Sequence, residues 1–371
     1  MAPTRLYLDL SAMEENVTIF RRLVGPSVRI MAMVKALAYG TDAQAVSLGL
    51  HDSGVDWLGV GNADEGIALR GAGVTLPILV MLGTEDEVEK LVRHRLTPLV
   101  YSEAMLAAIT GVAKEASQPV AVHVEVDTGM HRAGLDWNDA AGRLDELTRL
   151  GKVRVEGLMT HLASADDPAK DELTRLQLER FDAVVADVHR LGLRPLLHAA
   201  ATAGTIRIPA ARYDLVRIGL GLFGLHPSPA TARELALAPV LSLVSRIVQV
   251  IDVPPGEGVG YGGTYVAPAK GGRVGVVPAG YHDCVPRSFS NFGYVVVAGA
   301  QCGIIGAVSM DSMTVDLTEC PSAAVGSDVL IYGRGDTDEV PLEEVSRAIG
   351  TIPYEVMARV GPRVQRVFTR H

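Results

Sequence analysis

Cysteine is nearly missing from this chain. Three residues, Cys284, Cys302 and Cys320, occur among 371, without paired spacing. That excludes a disulfide framework and a Cys-rich zinc module, and fits a reducing cytoplasm. An excess of basic charge is missing too: 34 Lys and Arg stand against 43 Asp and Glu, a net charge of −9. A nucleic-acid binder needs a basic face, so that class is set aside. No uncharged apolar run approaches the ~20 residues that cross a bilayer. The opening MAPTRLYLDL has no basic start, no signal-length apolar core and no small-residue cleavage site, so the expectation is a cytoplasmic protein with no membrane partner. Phe is limited to 6 and Trp to 2, whereas Gly reaches 39, much of it directly after apolar runs, as at strand-to-loop turns. With 48% hydrophobic and 21% charged residues the chain is an ordinary globular one, and its length suits one large domain and one smaller.

Short, almost continuously apolar runs alternate with helical stretches up to about residue 235. Strands are expected at 28–34, 56–60, 77–82, 97–101, 119–126, 155–160, 195–198 and 214–218, each apolar enough to be buried on both faces. Helices are expected at 43–53, 63–72, 102–116, 138–150 and 171–191, with Ser102 as a plausible cap. Eight strand–helix pairs give a (β/α)8 TIM barrel. The alternative, an open doubly wound sheet, lacks its G-x-G-x-x-G turn. Beyond residue 235 strand-like runs at 241–253, 273–277, 294–298, 303–308, 313–317 and 327–332 are divided by Gly and Pro turns, with one helix at 342–348. The expected class is therefore α/β plus β: a barrel over 8–233 and a mostly β domain over 234–371 joined by residues 1–7. Pro, Ser and Ala cluster at the boundary, 227–239.

In such a barrel chemistry sits at the C-terminal ends of strands. Those ends carry Lys35, Arg132, His161, His198 and Arg217. A lone His there is ordinarily a hydrogen-bonded structural residue. A lysine ending an apolar strand is different, because burial lowers its pKa and suits it to Schiff-base chemistry. Converging cations call for an anionic ligand. Thr202 and Gly204 follow strand seven and Gly219 follows strand eight, the usual phosphate position in these barrels. Together with a lysine across the mouth they describe a phosphorylated carbonyl cofactor, with pyridoxal phosphate the obvious candidate.

At this point the sequence resembles the alanine racemase family, the fold-type III pyridoxal-phosphate enzymes, over nearly its whole length. Met33-Val-Lys-Ala-Leu-Ala-Tyr-Gly40 resembles the family's cofactor-lysine motif, which implies that Lys35 carries pyridoxal 5′-phosphate and that Tyr39 is a phosphate ligand. Asp127-Thr-Gly-Met-His-Arg132 resembles the stretch with the family's arginine near the cofactor phenolate and substrate carboxylate, here Arg132. Thr160-His-Leu-Ala-Ser-Ala-Asp166 and Asp214-Leu-Val-Arg-Ile-Gly219 imply His161 as the active-site histidine and Arg217 as the donor to the cofactor ring nitrogen. Thr202, Gly219, Leu220 and Tyr354 are implied as further cofactor contacts. In the second domain, Val259-Gly-Tyr-Gly-Gly-Thr-Tyr265 makes Tyr261 the second catalytic base. Pro278-Ala-Gly-Tyr281 and Ser309-Met-Asp311 imply Tyr281 and Met310 at the substrate, supported by Asp311.

The resemblance implies a racemase acting on alanine or a related small amino acid, with Lys35 and Tyr261 as opposed bases. His161 and Arg217 are expected to supply the positive field that a tyrosine base needs. It also implies a head-to-tail homodimer in which Tyr261 reaches the other copy's barrel. Four positions depart from the family pattern: Leu37, Thr41, Ala201 ahead of Thr202, and Glu125. At Glu125 many members carry a lysine that becomes an anionic carbamate, so this carboxylate is expected to orient Arg132 directly. Adjacent His282, Asp283 and Cys284 would alternate faces on a strand and are not expected to bind metal. Rival readings are a decarboxylase or other lyase on the same cofactor, a non-catalytic carrier of pyridoxal phosphate, and a barrel enzyme that uses no cofactor.

Overall fold

The computed structural model describes residues 2–149, 151–335 and 338–370. Eight parallel strands, Arg29–Met33, Trp57–Val60, Ile78–Val80, Thr97–Val100, Val120–Asp127, Val153–Met159, Leu196–His198 and Leu215–Ile218, follow one another in spatial order. Leu215–Ile218 pairs back onto Arg29–Met33, and a parallel bridge from Ala201 to Arg217 closes the remaining gap. The sheet is thus a TIM barrel, with every strand within one or two residues of its expected place. Trp57–Val60, Ile78–Val80 and Leu215–Ile218 are buried throughout, as strands packed between helices and a filled interior must be. The intervening helices begin where polar side chains receive their first free N–H groups. Asp42 caps Ala43–Gly49, Asn62 caps Ala63–Gly71, and Ser102 caps Glu103–Glu115. Of the helix expected over 138–150, Ala140–Arg149 is helical and Leu150 lies outside the described residues.

The second unit is one large, mainly antiparallel sheet. It runs from Gln249–Val253 through Gly272–Val277, Met313–Asp316, Ala300–Ile305, Tyr294–Val297, Asp328–Arg334 and Leu241–Arg246 to Arg5–Asp9 and Gln365–Thr369, with Glu339–Val340 alongside. Arg5–Asp9 pairs antiparallel with Leu241–Arg246 and parallel with Gln365–Thr369, so both ends of the chain lie in this sheet. Two expectations need correction. The run 241–253 is two strands, Leu241–Arg246 and Gln249–Val253, that pair with different neighbours. Tyr281–Asp283 is a 3₁₀ turn, not strand, so strand alternation does not govern His282, Asp283 and Cys284.

Between the two units runs a helix that was not among the expected elements, Leu10–Val24, capped by Asp9. Its buried Asn16 donates to the carbonyls of Leu222 and Ala238 and accepts from the Ala238 N–H, at 3.2, 2.8 and 2.8 Å. One amide thereby satisfies a barrel turn and the connecting segment together. Substituting Asn16→Leu orphans these backbone groups and is expected to cost about 2–4 kcal/mol. The thermal unfolding midpoint monitored by circular dichroism should then fall by roughly 3–5 °C; an unchanged midpoint would refute the clamp.

Candidate active site

Lys35 leaves the end of Arg29–Met33 by way of Val34, whose N–H bonds the Gly59 carbonyl at 2.8 Å. The next four residues wind left-handed: Ala36, Leu37, Ala38 and Tyr39 have φ of 53°, 56°, 50° and 59°. For L-residues that conformation costs roughly 1–2 kcal/mol each, so the surroundings must impose it. Glu65 accepts from the N–H groups of Ala36 and Gly61 at 2.7 and 2.6 Å. The Thr41 hydroxyl donates to the Ala38 carbonyl at 2.7 Å. From the C-terminal strand, Arg366 donates to the Gly40 and Thr41 carbonyls at 2.8 and 3.1 Å. Gly40 itself packs so closely that a Cβ would lie 2.1 Å from the Met357 carbonyl oxygen. The turn aims Lys35 at the barrel mouth. Desolvation first, then the charge of Arg132 and that of Arg217, hold its amine below the usual lysine range, with Glu65 opposing.

Arg217 is fully buried on the eighth strand. Its NH1 donates to Nδ1 and the carbonyl of His198, and its NH2 to His161 Nδ1 and the carbonyls of Thr160 and Ala199, all within 2.9–3.1 Å. Nε is the donor left uncommitted among the described residues. Burial lowers the guanidinium to about 10, which still leaves it charged at neutral pH. His161 is pushed down to about 3 by desolvation and then by Arg217, Arg132 and Lys35. It is therefore a neutral imidazole, and the expectation that it adds to a positive field is wrong: a site already holding three cations cannot afford a fourth.

Arg132 stands exposed on a loop shaped by Asp127, whose carboxylate accepts from the N–H groups of Gly129 and His131 and from the His131 ring at 2.9–3.0 Å. Beneath it, Gln177 of the helix Asp171–Arg190 donates to the His161 carbonyl at 2.9 Å and accepts from Ala163 N–H at 2.9 Å. Glu125 points into the barrel, buried. Desolvation raises it to about 7, against the pull of Arg217 and Arg132. No hydrogen bond or ion pair joins Glu125 to Arg132 among the described residues; the coupling is through space.

Across the mouth lies a cradle of polar groups. Thr202 Oγ1 accepts from the N–H groups of Gly219 and Gly221 at 3.2 and 3.4 Å, leaving its hydrogen free to donate outward. Tyr39 packs on Tyr354 and Phe223, with ring centroids 5.8 and 5.6 Å away. A Cβ at Gly219 would come within 2.2 Å of the Tyr39 hydroxyl; only glycine keeps that approach open. Burial raises the phenols of both Tyr39 and Tyr354, the latter to about 12, so they are neutral donors. Leu220 is buried and begins the following 3₁₀ turn. Ala201, one of the departures, serves through its backbone, in the bridge to Arg217. Leu37 is 63% exposed.

Apart from Tyr354, the structure does not bring the second-domain candidates into this mouth. Tyr261, on a Gly-rich turn, is 77% exposed, and no contact joins it to Lys35, His161 or Arg217 among the described residues. Tyr281 and Met310 are also exposed, on two loops knitted together by Tyr281 N–H to the Ser309 carbonyl at 3.0 Å and His282 N–H to the Met310 carbonyl at 3.1 Å. Arg363 braces both loops: it forks onto Asp283 at 2.7 Å and reaches Asp311 at 2.5 Å. Cys284 Sγ donates to the Val356 carbonyl at 2.6 Å. Glu65, Gln177, Asp127, Arg363 and Arg366 were not singled out by sequence. Each resembles a solvated polar residue until its backbone partners are known, although the Asp127-Thr-Gly turn carried a legible signal of its own.

Residues 8–227 match the family described as "Alanine racemase, N-terminal domain", and residues 240–368 match "Alanine racemase, C-terminal domain". The chain is 37% identical over 362 residues to the alanine racemase of Syntrophobacter fumaroxidans, covering 97% of this chain and 96% of that one. It is likewise 37% identical over 363 residues to that of Synechocystis, covering 97% of both. Among solved structures, the alanine racemase of Clostridium difficile superposes with a TM-score of 0.93 at 31% identity, covering 100% of this chain and 97% of that one. That of the D-cycloserine producer Streptomyces lavendulae gives 0.94 at 32%, covering 100% and 97%. With both domains matched in order and relatives aligned end to end, the chain belongs to the alanine racemase family.

Proposed function

We propose that this protein interconverts L- and D-alanine, using pyridoxal 5′-phosphate and two opposed bases. The observation that carries the reading is the barrel mouth: an amine of lowered proton affinity on one strand end faces an uncommitted guanidinium donor and a neutral, glycine-opened anion cradle. Full-length relatives named alanine racemase support the reaction. When bound, pyridoxal phosphate supplies an aldehyde that joins the amino group and a ring that draws electrons from the α-carbon. Tyr39, Tyr354, Thr202, Gly219 and Leu220 would hold its phosphate, Lys35 Nζ its aldehyde carbon, and Arg217 its ring nitrogen. His161, kept neutral, accepts from Arg217 through Nδ1 and so carries its own hydrogen on Nε2.

Arg132 binds the substrate carboxylate. Lys35 Nζ takes or returns the α-proton on one face, its lowered pKa favouring the free amine. Tyr261 Oη does so on the other face, contributed by a second copy of the chain, which also brings Tyr281 and Met310 to bound the side-chain pocket. That arrangement accounts for the exposure of all three in a single copy and suits a small amino acid. Above its midpoint near 7 the Glu125 carboxylate orients Arg132 through space.

The reading is tested by reducing the yellow, cofactor-loaded protein with borohydride and mapping the modified peptide, expected on Lys35. Alanine turned over in D₂O should gain α-deuterium with loss of optical purity, whereas a lyase would release carbon dioxide. Tyr261→Phe should lower kcat at least about a hundredfold while keeping the visible band; colourless protein or unmodified Lys35 would end the proposal. Gly219→Ala places a methyl group in the cradle and should weaken pyridoxal-phosphate binding about tenfold, read by titration of that band.

Glu125 yields a further test. Its folded pKa of about 7 lies above the ordinary 4.5, so the folded chain holds that proton more tightly than the unfolded one. The resulting stability is complete below pH 4.5 and is lost as pH rises through 7, a change on the order of 3 kcal/mol. Urea unfolding of the cofactor-free wild type should show that slope, and Glu125→Gln should flatten it. In the loaded enzyme, KM for alanine should fall as pH rises through 7, and stay level in the variant.

A further inference from the structure

Below the mouth, the barrel interior holds a second histidine pair that the proposed reaction does not use. His198 Nε2 and His123 Nδ1 lie 2.9 Å apart, both rings completely buried. His123 fills space that a Cβ on Gly157 would need, 2.3 Å from its Nδ1, and its ring lies 4.9 Å from that of Trp57. His123 Nε2 is buried with no hydrogen-bond partner among the described residues.

The proton positions along this line follow from Arg217. A guanidinium has only donors, so His198 Nδ1, 2.9 Å from NH1, must present its lone pair. Neutral His198 then carries its hydrogen on Nε2 and donates to His123 Nδ1. Neutral His123 in turn carries its own hydrogen on Nε2, where it meets no acceptor. Burial and the positive charges facing the pair, Arg217 and Arg154, keep both imidazoles neutral. An apolar side chain would fill this space without leaving a buried donor unpaired. What the imidazole adds over such a filler is one lone pair, aimed at His198.

We infer that His123 is a positioning residue: by accepting from His198 Nε2–H, its Nδ1 fixes the orientation of the His198 ring, and His198 thereby holds the Arg217 guanidinium in line. The consequence for turnover rests on the proposed function; the hydrogen bond itself does not. His123→Leu removes the lone pair, and His123→Asn restores one near the same place through its amide oxygen.

Nitrogen-15 spectra of the full-length chain, recorded without pyridoxal phosphate, should show His198 as the Nε2–H form throughout, with its Nε2 proton shifted downfield by the hydrogen bond in the wild type and in His123→Asn, and that shift lost in His123→Leu. Pyridoxal-phosphate affinity and kcat for alanine should each fall about tenfold in His123→Leu, the scale of one lost hydrogen bond. Both should return to within about threefold of wild type in His123→Asn, with KM little changed throughout. A His198 Nδ1–H signal in the wild type overturns the inference even if His123→Leu fails to fold. So do an unaltered Nε2 proton shift and affinity in His123→Leu, or Leu and Asn variants equally impaired. Because the spectra need no cofactor, a chain that never bound pyridoxal phosphate would sink the proposed function and leave this result standing.

Discussion

Arg217 sets the terms for the rest of the barrel. Placing a guanidinium inside a closed sheet of apolar strands costs several kcal/mol of lost hydration, and among the described residues no carboxylate hydrogen-bonds it in return. Three carbonyls and two imidazole nitrogens do so instead. Those acceptors come from the ends of the sixth and seventh strands, so holding the charge and holding the strand ends are one event. The backbone of the same residue makes the bridge to Ala201 that closes the barrel. A carboxylate in place of His198 would bind the charge more strongly, but would cancel the field that lowers Lys35. Neutral acceptors keep the cation and its field together.

The lysine's own geometry is held from outside the barrel. Four consecutive L-residues in the left-handed region are a conformation that local preference alone would abandon. Glu65 fastens the start of the turn from a barrel helix, while Arg366 and the Met357 carbonyl fasten its end from the second unit. Tyr354 from the same unit packs on Tyr39. The β unit is therefore part of the device that points Lys35, quite apart from anything it presents to another chain. Strain of this kind survives only where many contacts agree, and here they come from both units and from opposite ends of the sequence.

Much of this was legible beforehand. Parallel strands buried on both faces read as unbroken apolar runs, which is why eight of them were found within a residue or two. Strand ends carrying Lys35, Arg132, His161 and Arg217 pointed to the mouth. What escaped was whatever depends on a distant partner. Leu10–Val24 buries Met13, Val17 and Phe20 at helical spacing, but the stripe is narrow among polar neighbours. Ala36–Tyr39 contains no Gly or Asn to announce a left-handed turn, because tertiary contacts impose it. Glu65 and Gln177 look like solvated helix residues, and His123 like a lone polar interruption of a strand. His161 misled for a related reason: residue type offers a cation, and only the packed site shows that Arg217, Arg132 and Lys35 forbid one.

The single chain offers one base at the mouth, whereas inversion at a carbon needs proton traffic on both faces. A lone lysine would have to swing across the substrate plane, yet the turn that carries it is fastened at both ends. On the proposed reading a phenol from another copy meets the requirement without motion, provided that association does not first have to order the loops that arrive with it. In this chain the loops bearing Tyr281 and Met310 are braced in advance. Arg363, in spanning Asp283 and Asp311, ties the segment bearing Tyr281 to the one bearing Met310. On the proposed two-copy reading this bracing is in place before association, and exposed apolar side chains such as Met310 are left for it to bury.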